Sequence, residues 1–593
     1  MPTITINGTE CGFEPGQTIL QVAKANEVEI PYYCYHDALS IPAQCRICLA
    51  EMWAPNPRND GKLEPFMGGK LLPTCSTPAQ DGMVVRSDSP KSVANQRSVM
   101  EYLLINHPLD CPVCDQAGEC ELQDYSFKYG RGVSRFEESK VKQAKKDMGP
   151  HVYLYADRCI MCTRCVRFTR EIPQTGEITI AGRGNKSEID VFPGVALDNP
   201  LSANVIDLCP VGALLDKDFL FSQRVWFLKQ TASIDGLTSS GDNLWVEHNE
   251  GRVYRFKPRE NAAINKWWLT DEVRYGWKFV HSDDRIAGPM RRQYGTLVES
   301  QFNRAYEDAA TGLRAAGEKG PIALLVSPML SSEDAFELAS MAKLLGESSE
   351  HGLLIGVGPV PVDGEDRVFP PNLDAEDPES FVMRAEKAPN ARGVRRVLRA
   401  VFGEGNVHEF DQFTQRLGGA SAAIVTGNYP SQWATDTMRS ALVGKFVLLM
   451  DTLTGPLFEE ADIVLPSATW LEKAGSFENA THTLQAFEQA IPTIGMAKAE
   501  AQLAIDLAAA LSGEEPEVAI GSSYVEGLTI VDEQPGQVPS AKEQRMRSGT
   551  LFNAANTRSE MAHVHEDLRV FATEIAEPAQ PTKQQPDMAM VEL

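Results

Sequence analysis

Polar and apolar residues alternate at Thr3, Ile4, Thr5 and Ile6, the two-residue period of a strand with one buried face. Asn7-Gly8 follows, a pair suited to a tight hairpin turn. Cys11 and Phe13 then share one face of the return strand, Gly16 ends it, and QTILQVAKAN has the spacing of an amphipathic helix. The next stretch, carrying Cys34, Cys45 and Cys48, has no period and reads as loop. Residues 1–80 are thus expected to form a β-rich unit. Residues 81–150 read as helical: SVANQRSVMEYLLINHP sets Val99, Leu103 and Leu104 at helical spacing and stops before Pro108, and KVKQAKKD reads as a solvated surface segment. Residues 151–220 carry a further cysteine group. Residues 221–290 are β-like, with WVEHNEGRVYRFK a hairpin about Asn249, Glu250 and Gly251.

From residue 291 to 512 the pattern becomes an alternation of strands and helices. PIALLVS, AAIVTG, FVLLMD and ADIVLP are apolar runs of strand length, and SEDAFELASMAKLLG is a helix between two such runs. That alternation predicts a parallel sheet flanked by helices, interrupted by the acidic, proline-rich insert PVDGEDRVFPPNLDAEDPES. Residues 513–593 read as an acidic and polar tail, with AEPAQPTKQQPDMAMVEL expected to be disordered. The fold class is therefore multidomain, α/β and α+β.

Composition narrows the function. The 593 residues carry a net charge of −25, which disfavours binding to nucleic acid or anionic lipid through charge. No apolar run approaches the ~18 residues that span a bilayer, and MPTITING has neither the basic nor the apolar region of a secretory signal, so a reducing cytosolic compartment is expected. All twelve cysteines lie at or before residue 209. In a long chain of such a compartment, tight C-x2-C pairs point to metal rather than to disulfides. Cys11, far from any such pair and alternating with Phe13, reads as a buried structural thiol.

The other eleven fall into three groups. Cys34, Cys45, Cys48 and Cys75 are spaced C-x10-C-x2-C-x26-C, close to the plant-type [2Fe–2S] arrangement but with a longer first gap. A structural zinc site is the competing reading. The second group, in HPLDCPVCDQAGEC, is spaced H-x3-C-x2-C-x5-C. Cys111, Cys114 and Cys120 leave a [4Fe–4S] cluster one ligand short; His107 is the nearest nitrogen donor and Asp110 the nearest oxygen donor, and His107 is assigned the fourth position. The third is Cys159, Cys162 and Cys165 with the distant Cys209-Pro210. The two-cluster ferredoxin pattern C-x2-C-x2-C-x3-C-P, laid down twice with each fourth cysteine serving the other cluster, assigns 159, 162, 165 and 209 to one cluster. Every ligand of the other is replaced, by Thr169, Asn199, Ser202 and Val205. This block reads as a two-cluster ferredoxin fold that kept one [4Fe–4S] cluster.

With CYHDALSIPAQCRIC, HPLDCPVCDQAGECELQD, DRCIMCTRCVRF and DLCPVGALLDK in this order, the chain resembles the large iron–sulfur subunit of bacterial respiratory complex I, the NADH:quinone oxidoreductase. FEEADIVLPSATWLEKAGSFENATHTLQ resembles a degenerate molybdopterin-oxidoreductase region, with residues 461–466 as strand and 472–479 as the following loop. The resemblance implies a [2Fe–2S] ferredoxin-like (β-grasp) domain, a helical His/Cys cluster domain, a ferredoxin-like [4Fe–4S] domain and a molybdopterin-oxidoreductase-like α/β region. It implies one [2Fe–2S] and two [4Fe–4S] clusters, with no molybdenum and no flavin on this chain. Many relatives hold a further cubane after the ferredoxin block; residues 230–275 contain no cysteine, so that cluster is expected to be missing. The implied role is electron transfer within a larger enzyme, with no substrate site here. Electrons would come from a flavin- and NADH-binding subunit, pass the Cys34 group, the Cys159 group and the His107 group, and leave to another ferredoxin-like subunit. Other peripheral-arm subunits would be partners, on the cytoplasmic side of the bacterial inner membrane, with membrane contact only indirect. Two other readings stand beside it: a subunit of an NAD-linked formate dehydrogenase or hydrogenase, and a zinc-stapled scaffold.

Overall fold

The computed structural model describes residues 2–347, 349–513 and 551–578. It divides into two units, residues 1–228 with Phe369–Asn372, and the remainder.

The first unit opens on the expected hairpin. Thr3–Ile6 pairs antiparallel with Thr9–Gly12, and Asn7 and Gly8 both take positive φ, 50° and 91°, as a two-residue hairpin turn requires. Thr18 caps the helix Ile19–Ala25 in a capping box with Gln21. The sheet order is Thr9–Gly12, Thr3–Ile6, Val84–Arg86, Leu49–Asn56, Lys62–Pro65, with Leu72–Pro73 on the flank of Leu49–Asn56. Its central strand, Val84–Arg86, lies past residue 80, so the β-rich unit is longer than its sequence pattern suggested. The helix Pro90–Leu104 buries Ser92, Gln96 and Met100 rather than Val99, Leu103 and Leu104, which stay half-buried. That face is polar because it bonds to chain beneath it: Ser92 Oγ donates to Arg86 O at 2.9 Å and Gln96 Nε2 to Ser87 O at 2.9 Å. KVKQAKKD is not simply solvated. Lys140 Nζ donates to the carbonyls of Leu104 and Ile105 at 2.7 and 2.9 Å, satisfying the end of that helix, and Lys145–Asp147 pairs with Val152–Tyr155.

In the second unit, Lys229–Ile234, Asn243–Asn249 and Arg252–Pro258 form an antiparallel sheet, the last two joined by the expected turn at Glu250 and Gly251. An eight-stranded sheet follows, in the order Thr296–Glu299, Met290–Gln293, Ile463–Pro466, Phe446–Asp451, Ala422–Thr426, Ile322–Val326, Leu353–Val357, Val407–His408. The last six strands are parallel. Their runs are continuously apolar because both faces are covered. Leu324, Val326, Ile424 and Leu448 pack with the helices Phe302–Gly317 and Ser332–Glu347, while Leu325, Val425 and Leu449 pack with Phe413, Met438 and Leu442 on the other side. Residues 472–479, expected as a loop, contain the strand Gly475–Glu478 paired with Leu484–Phe487. The expected tail is also corrected in part. Ala554–Val564 is a helix whose Met561, with Leu568 and Phe571, joins the sheet core. Residues 514–550 and 579–593, with most of the segment expected to be disordered, lie outside the described residues. Among the described residues no helix is long and apolar enough to cross a membrane.

Candidate iron–sulfur sites

In the first group, sheet register does the positioning. Leu49 pairs with Pro73 and Ala50 with Leu72, which sets Cys48, just before one strand, against Thr74 and Cys75, just after the other. Thr74 fixes the approach, donating from N at 3.3 Å and Oγ1 at 3.1 Å to Cys48 O. Cys34 and Cys45 come from the preceding loop, which turns on positive φ at Ala43 and Arg46. The thiols associate in pairs. The Cys34 S–H and the backbone N–H groups of Cys34, Tyr33 and Ile47 hold the Cys45 thiol down to about 5, while Cys34 is pushed up by bonding to Cys45 and by burial. Cys75 stabilises Cys48 in the same way and is itself pushed up. Four crowded thiols, three of them buried, cannot all ionise against one another; a cationic centre among them would remove the conflict. Cys11 is buried in the hairpin and donates to Thr9 O.

The third group lines one cavity. Cys159, Cys162, Cys165 and Cys209 line it together with Leu154, Ile160, Thr163, Arg164 and other residues. The loop from 159 to 165 winds round this space through left-handed residues Met161 and Thr163, φ 55° and 63°. Cys209 reaches it from the end of the helix Asn204–Leu208, its sulfur facing the N–H groups of Val211, Leu214 and Ala213. Burial pushes the Cys162 thiol up to about 11 and raises Cys159, Cys165 and Cys209 as well, so these are protonated thiols that a metal would deprotonate. The four positions of the second ferredoxin site have become ordinary interior. Thr169, Asn199, Ser202 and Val205 are all buried. Thr169 Oγ1 donates to Val166 O at 3.2 Å, and Asn199 Nδ2 to Glu177 at 2.7 Å.

The second group is the most open. Cys111, in the turn Cys111–Val113, is exposed; Cys114 is buried; Cys120 starts the helix Glu121–Tyr129, with the N–H groups of Gln123 and Leu122 facing its sulfur. Burial raises Cys114, and raises Cys120 to about 11. Burial, then the charges of Arg158 and Lys140, hold His107 down to about 4, so its imidazole is neutral and can act as a ligand. The structure sets His107 near Arg158 and Asp110.

The groups are joined by contacts that spacing did not reveal. Gln44, beside Cys45, donates to Met161 O at 2.8 Å and Thr163 Oγ1 at 3.0 Å. Arg167 donates to Ser40 O at 2.5 Å and to Cys34 O. The first and third groups therefore abut. The third and second meet along residues 209–212. Cys120 Sγ faces Pro210 O at 3.9 Å, Glu121 N donates to Pro210 O at 3.1 Å, and a Cβ on Gly212 would lie 2.2 Å from Cys114 Sγ. Arg158 spans the same seam, from Asp110 at 2.8 Å to Gly212 O at 3.3 Å. The arginines within DRCIMCTRCVRF were the available signal, since all three are buried where arginine is usually solvated.

Sequence comparison agrees with this division. Family models match residues 1–90 (2Fe-2S iron-sulfur cluster binding domain), 96–135 (NADH-ubiquinone oxidoreductase-G iron-sulfur binding region) and 149–215 (NADH-quinone oxidoreductase subunit 3, ferredoxin-like domain). Two more match 228–278 (NADH-ubiquinone oxidoreductase NDSU1/NuoG-like, 4Fe-4S domain) and 404–510 (molybdopterin oxidoreductase). The G subunit of NADH-quinone oxidoreductase from Rickettsia felis is 37% identical over 350 residues, 59% of this chain and 50% of that protein. Over that stretch the chain is similar to the iron–sulfur subunits of complex I. The mitochondrial NADH-ubiquinone oxidoreductase 78 kDa subunit of Neurospora crassa is also 37% identical, over 58% of this chain and 45% of its own length. The matched region spans about half the length of these curated relatives. A solved structure of an NAD+-reducing [NiFe]-hydrogenase in the H2-reduced state shares 29% identity over 38% of this chain and 91% of that one, with a TM-score of 0.33, too low to carry an argument. The matched models give this chain 2Fe-2S and 4Fe-4S binding domains. In the domain matched at 228–278 the sequence has no cysteine; its loop is tied by Asp235, which accepts from Leu237 N at 2.8 Å and Ser240 Oγ at 2.9 Å.

Proposed function

We propose that this chain is the electron-transfer subunit of an NADH:quinone oxidoreductase. Cys34, Cys45, Cys48 and Cys75 hold a [2Fe–2S] cluster; Cys159, Cys162, Cys165 and Cys209 hold one [4Fe–4S] cluster; His107, Cys111, Cys114 and Cys120 hold another. The observation that carries the reading is the contiguity of the three groups, first to third through Gln44 and Arg167, third to second through residues 209–212. Clusters at these positions would supply one-electron transfer without bond making or breaking. The chain's part is to hold its sulfurs in rigid, buried geometry, to direct backbone N–H groups at them, and to keep the sites close. The four thiols of the Cys159 group come together on one cavity, as a cluster held by all four would need.

The partners that fit are a flavin- and NADH-binding subunit, a ferredoxin-like subunit taking electrons onward, and other peripheral-arm subunits on the cytoplasmic side of the bacterial inner membrane. Exposed Cys111, flanked by exposed Leu109 and Val113, makes the second group the face for onward transfer. EPR of the dithionite-reduced full chain should show one binuclear and two cubane signals, and His107→Ala should alter one cubane signal alone. A colourless, EPR-silent protein with stoichiometric zinc would sink the reading, and an unchanged spectrum in His107→Ala would remove that ligand.

A further inference from the structure

Arg164 stands between Cys162 and Cys165 and lines the same cavity as the four cysteines of its group. Its side chain is only 6% exposed. A buried guanidinium needs a counter-charge and acceptors for its N–H groups, and here the protein supplies few. Nη1 reaches Leu208 O at 3.3 Å and Glu121 Oε1 at 3.4 Å, both long. Nε finds no acceptor among the described residues, and Glu121 Oε2 finds no donor. The Tyr32 ring lies 5.9 Å from the guanidinium carbon, near the outer limit of a cation–π contact. The two other buried arginines of this loop are better served. Arg158 holds Asp110 at 2.8 and 3.1 Å, and Arg167 reaches Ser40 O, Cys34 O and Thr163 Oγ1.

We propose that Arg164 is a positioning residue that sets the reduction potential of the cluster on Cys159, Cys162, Cys165 and Cys209, its guanidinium being the fixed positive charge that faces that cluster. The inference rests on the relay reading. Reduction adds one electron to the site from an external one-electron donor, with no bond broken and no proton moved. A fixed positive charge at the cavity wall stabilises the added negative charge and raises the midpoint, and the enclosed surroundings screen it little. Glu121, of opposite sign beside the guanidinium, lowers it.

The test is a dithionite redox titration of the full chain, reconstituted with iron and sulfide and followed by low-temperature EPR, for Arg164→Gln, Arg164→Lys and Glu121→Gln. Arg164→Gln should shift the midpoint of that one cubane downward, and Arg164→Lys should restore most of the shift. Glu121→Gln should move the same midpoint upward, and the [2Fe–2S] midpoint should move least. Equal shifts in the Gln and Lys variants would assign Arg164 a steric role and overturn the proposal, as would an unmoved midpoint with all three clusters loaded. If Arg164→Gln fails to load its cluster, Glu121→Gln decides, and no upward shift overturns the proposal. A wild-type chain without iron–sulfur signals would overturn the relay reading and this inference together, whereas intact signals with unmoved midpoints would overturn this inference alone.

Discussion

In the sheet unit, Lys473 is almost fully buried 2.8 Å from Asp334 Oδ2 and in contact with Glu500, and Lys498 lies 2.7 Å from Asp506. Arg285 spans to both oxygens of Glu472, and Arg558 to Glu333. These charges compensate one another within the protein. In the cysteine unit, the thiols of the Cys159 group crowd together, each raised by burial and by its neighbours. The same chemical problem, a polar group away from water, has two answers. The sheet unit answers it largely with ion pairs between its own side chains; on the relay reading proposed above, the cysteine unit would answer it with metal. That difference would suit a site that must change charge, which fixed ion pairs alone cannot close.

The largest expected effect tests the dependence on metal. Stripping iron from the full chain with a chelator should remove most hydrogen-exchange protection from residues 1–228 and leave the parallel sheet protected. The scale is that of the ~10 kcal/mol metal contributes to small metal-bound domains. Equal protection in both units after stripping would break the comparison. The next tests self-compensation. Lys473→Met leaves Asp334 and Glu500 buried without their cation and should cost about 3–5 kcal/mol, read from the denaturant midpoint of the sheet unit; a loss under ~1 kcal/mol would show that the two carboxylates simply take up protons. The smallest effect is in pH. Burial, with the Lys229 charge, holds buried His248 down to about 4, below the ~6.5 of an unfolded histidine. As pH falls from 6.5 to 4 the unfolded chain binds a proton that the folded chain does not, so stability falls across that window by at most roughly 3 kcal/mol. His248→Gln should flatten the pH slope of thermal stability between those values, and an unchanged slope would refute the assignment.

Much of this architecture was legible in the sequence where the signal is local. The Asn7-Gly8 hairpin, the Glu250-Gly251 turn and the apolar strands of the parallel sheet each follow from a few adjacent residues. The cysteine groups stand out because ligand spacing is a local constraint, and the crossed ferredoxin pattern pairs Cys209 with a distant trio that lines the same cavity. What escaped depends on long-range contact. Val84–Arg86 enters the centre of the first sheet by pairing with Thr3–Ile6, at the far end of the domain's sequence, and with Leu49–Asn56, which no local period reveals. Ser92 and Gln96 face inward because chain carbonyls await them, against the rule that polar residues face out. The helix Ala554–Val564 looks like tail by composition, yet Arg558 and Thr557 anchor it to Glu333 and Glu337 at 2.9 and 2.8 Å. The arginines of the cysteine loop were passed over because a charge near a ligand is usually solvated, and only the fold shows that these are not.

On the proposed reading the segment Cys209-Pro210-Val211-Gly212 belongs to two sites at once: it would supply a ligand to one, and it presses its backbone against Cys114 and Cys120 of the other. Assembly of the two cubanes is therefore not a pair of separate events. Filling the first fixes the wall of the second, so loading should be ordered and cooperative. A maturation defect at the Cys209 site would surface as the loss of both, whereas one confined to the His107 site would spare the other, with Gly212 the hinge-pin of the arrangement because no larger residue leaves room for the neighbouring sulfur.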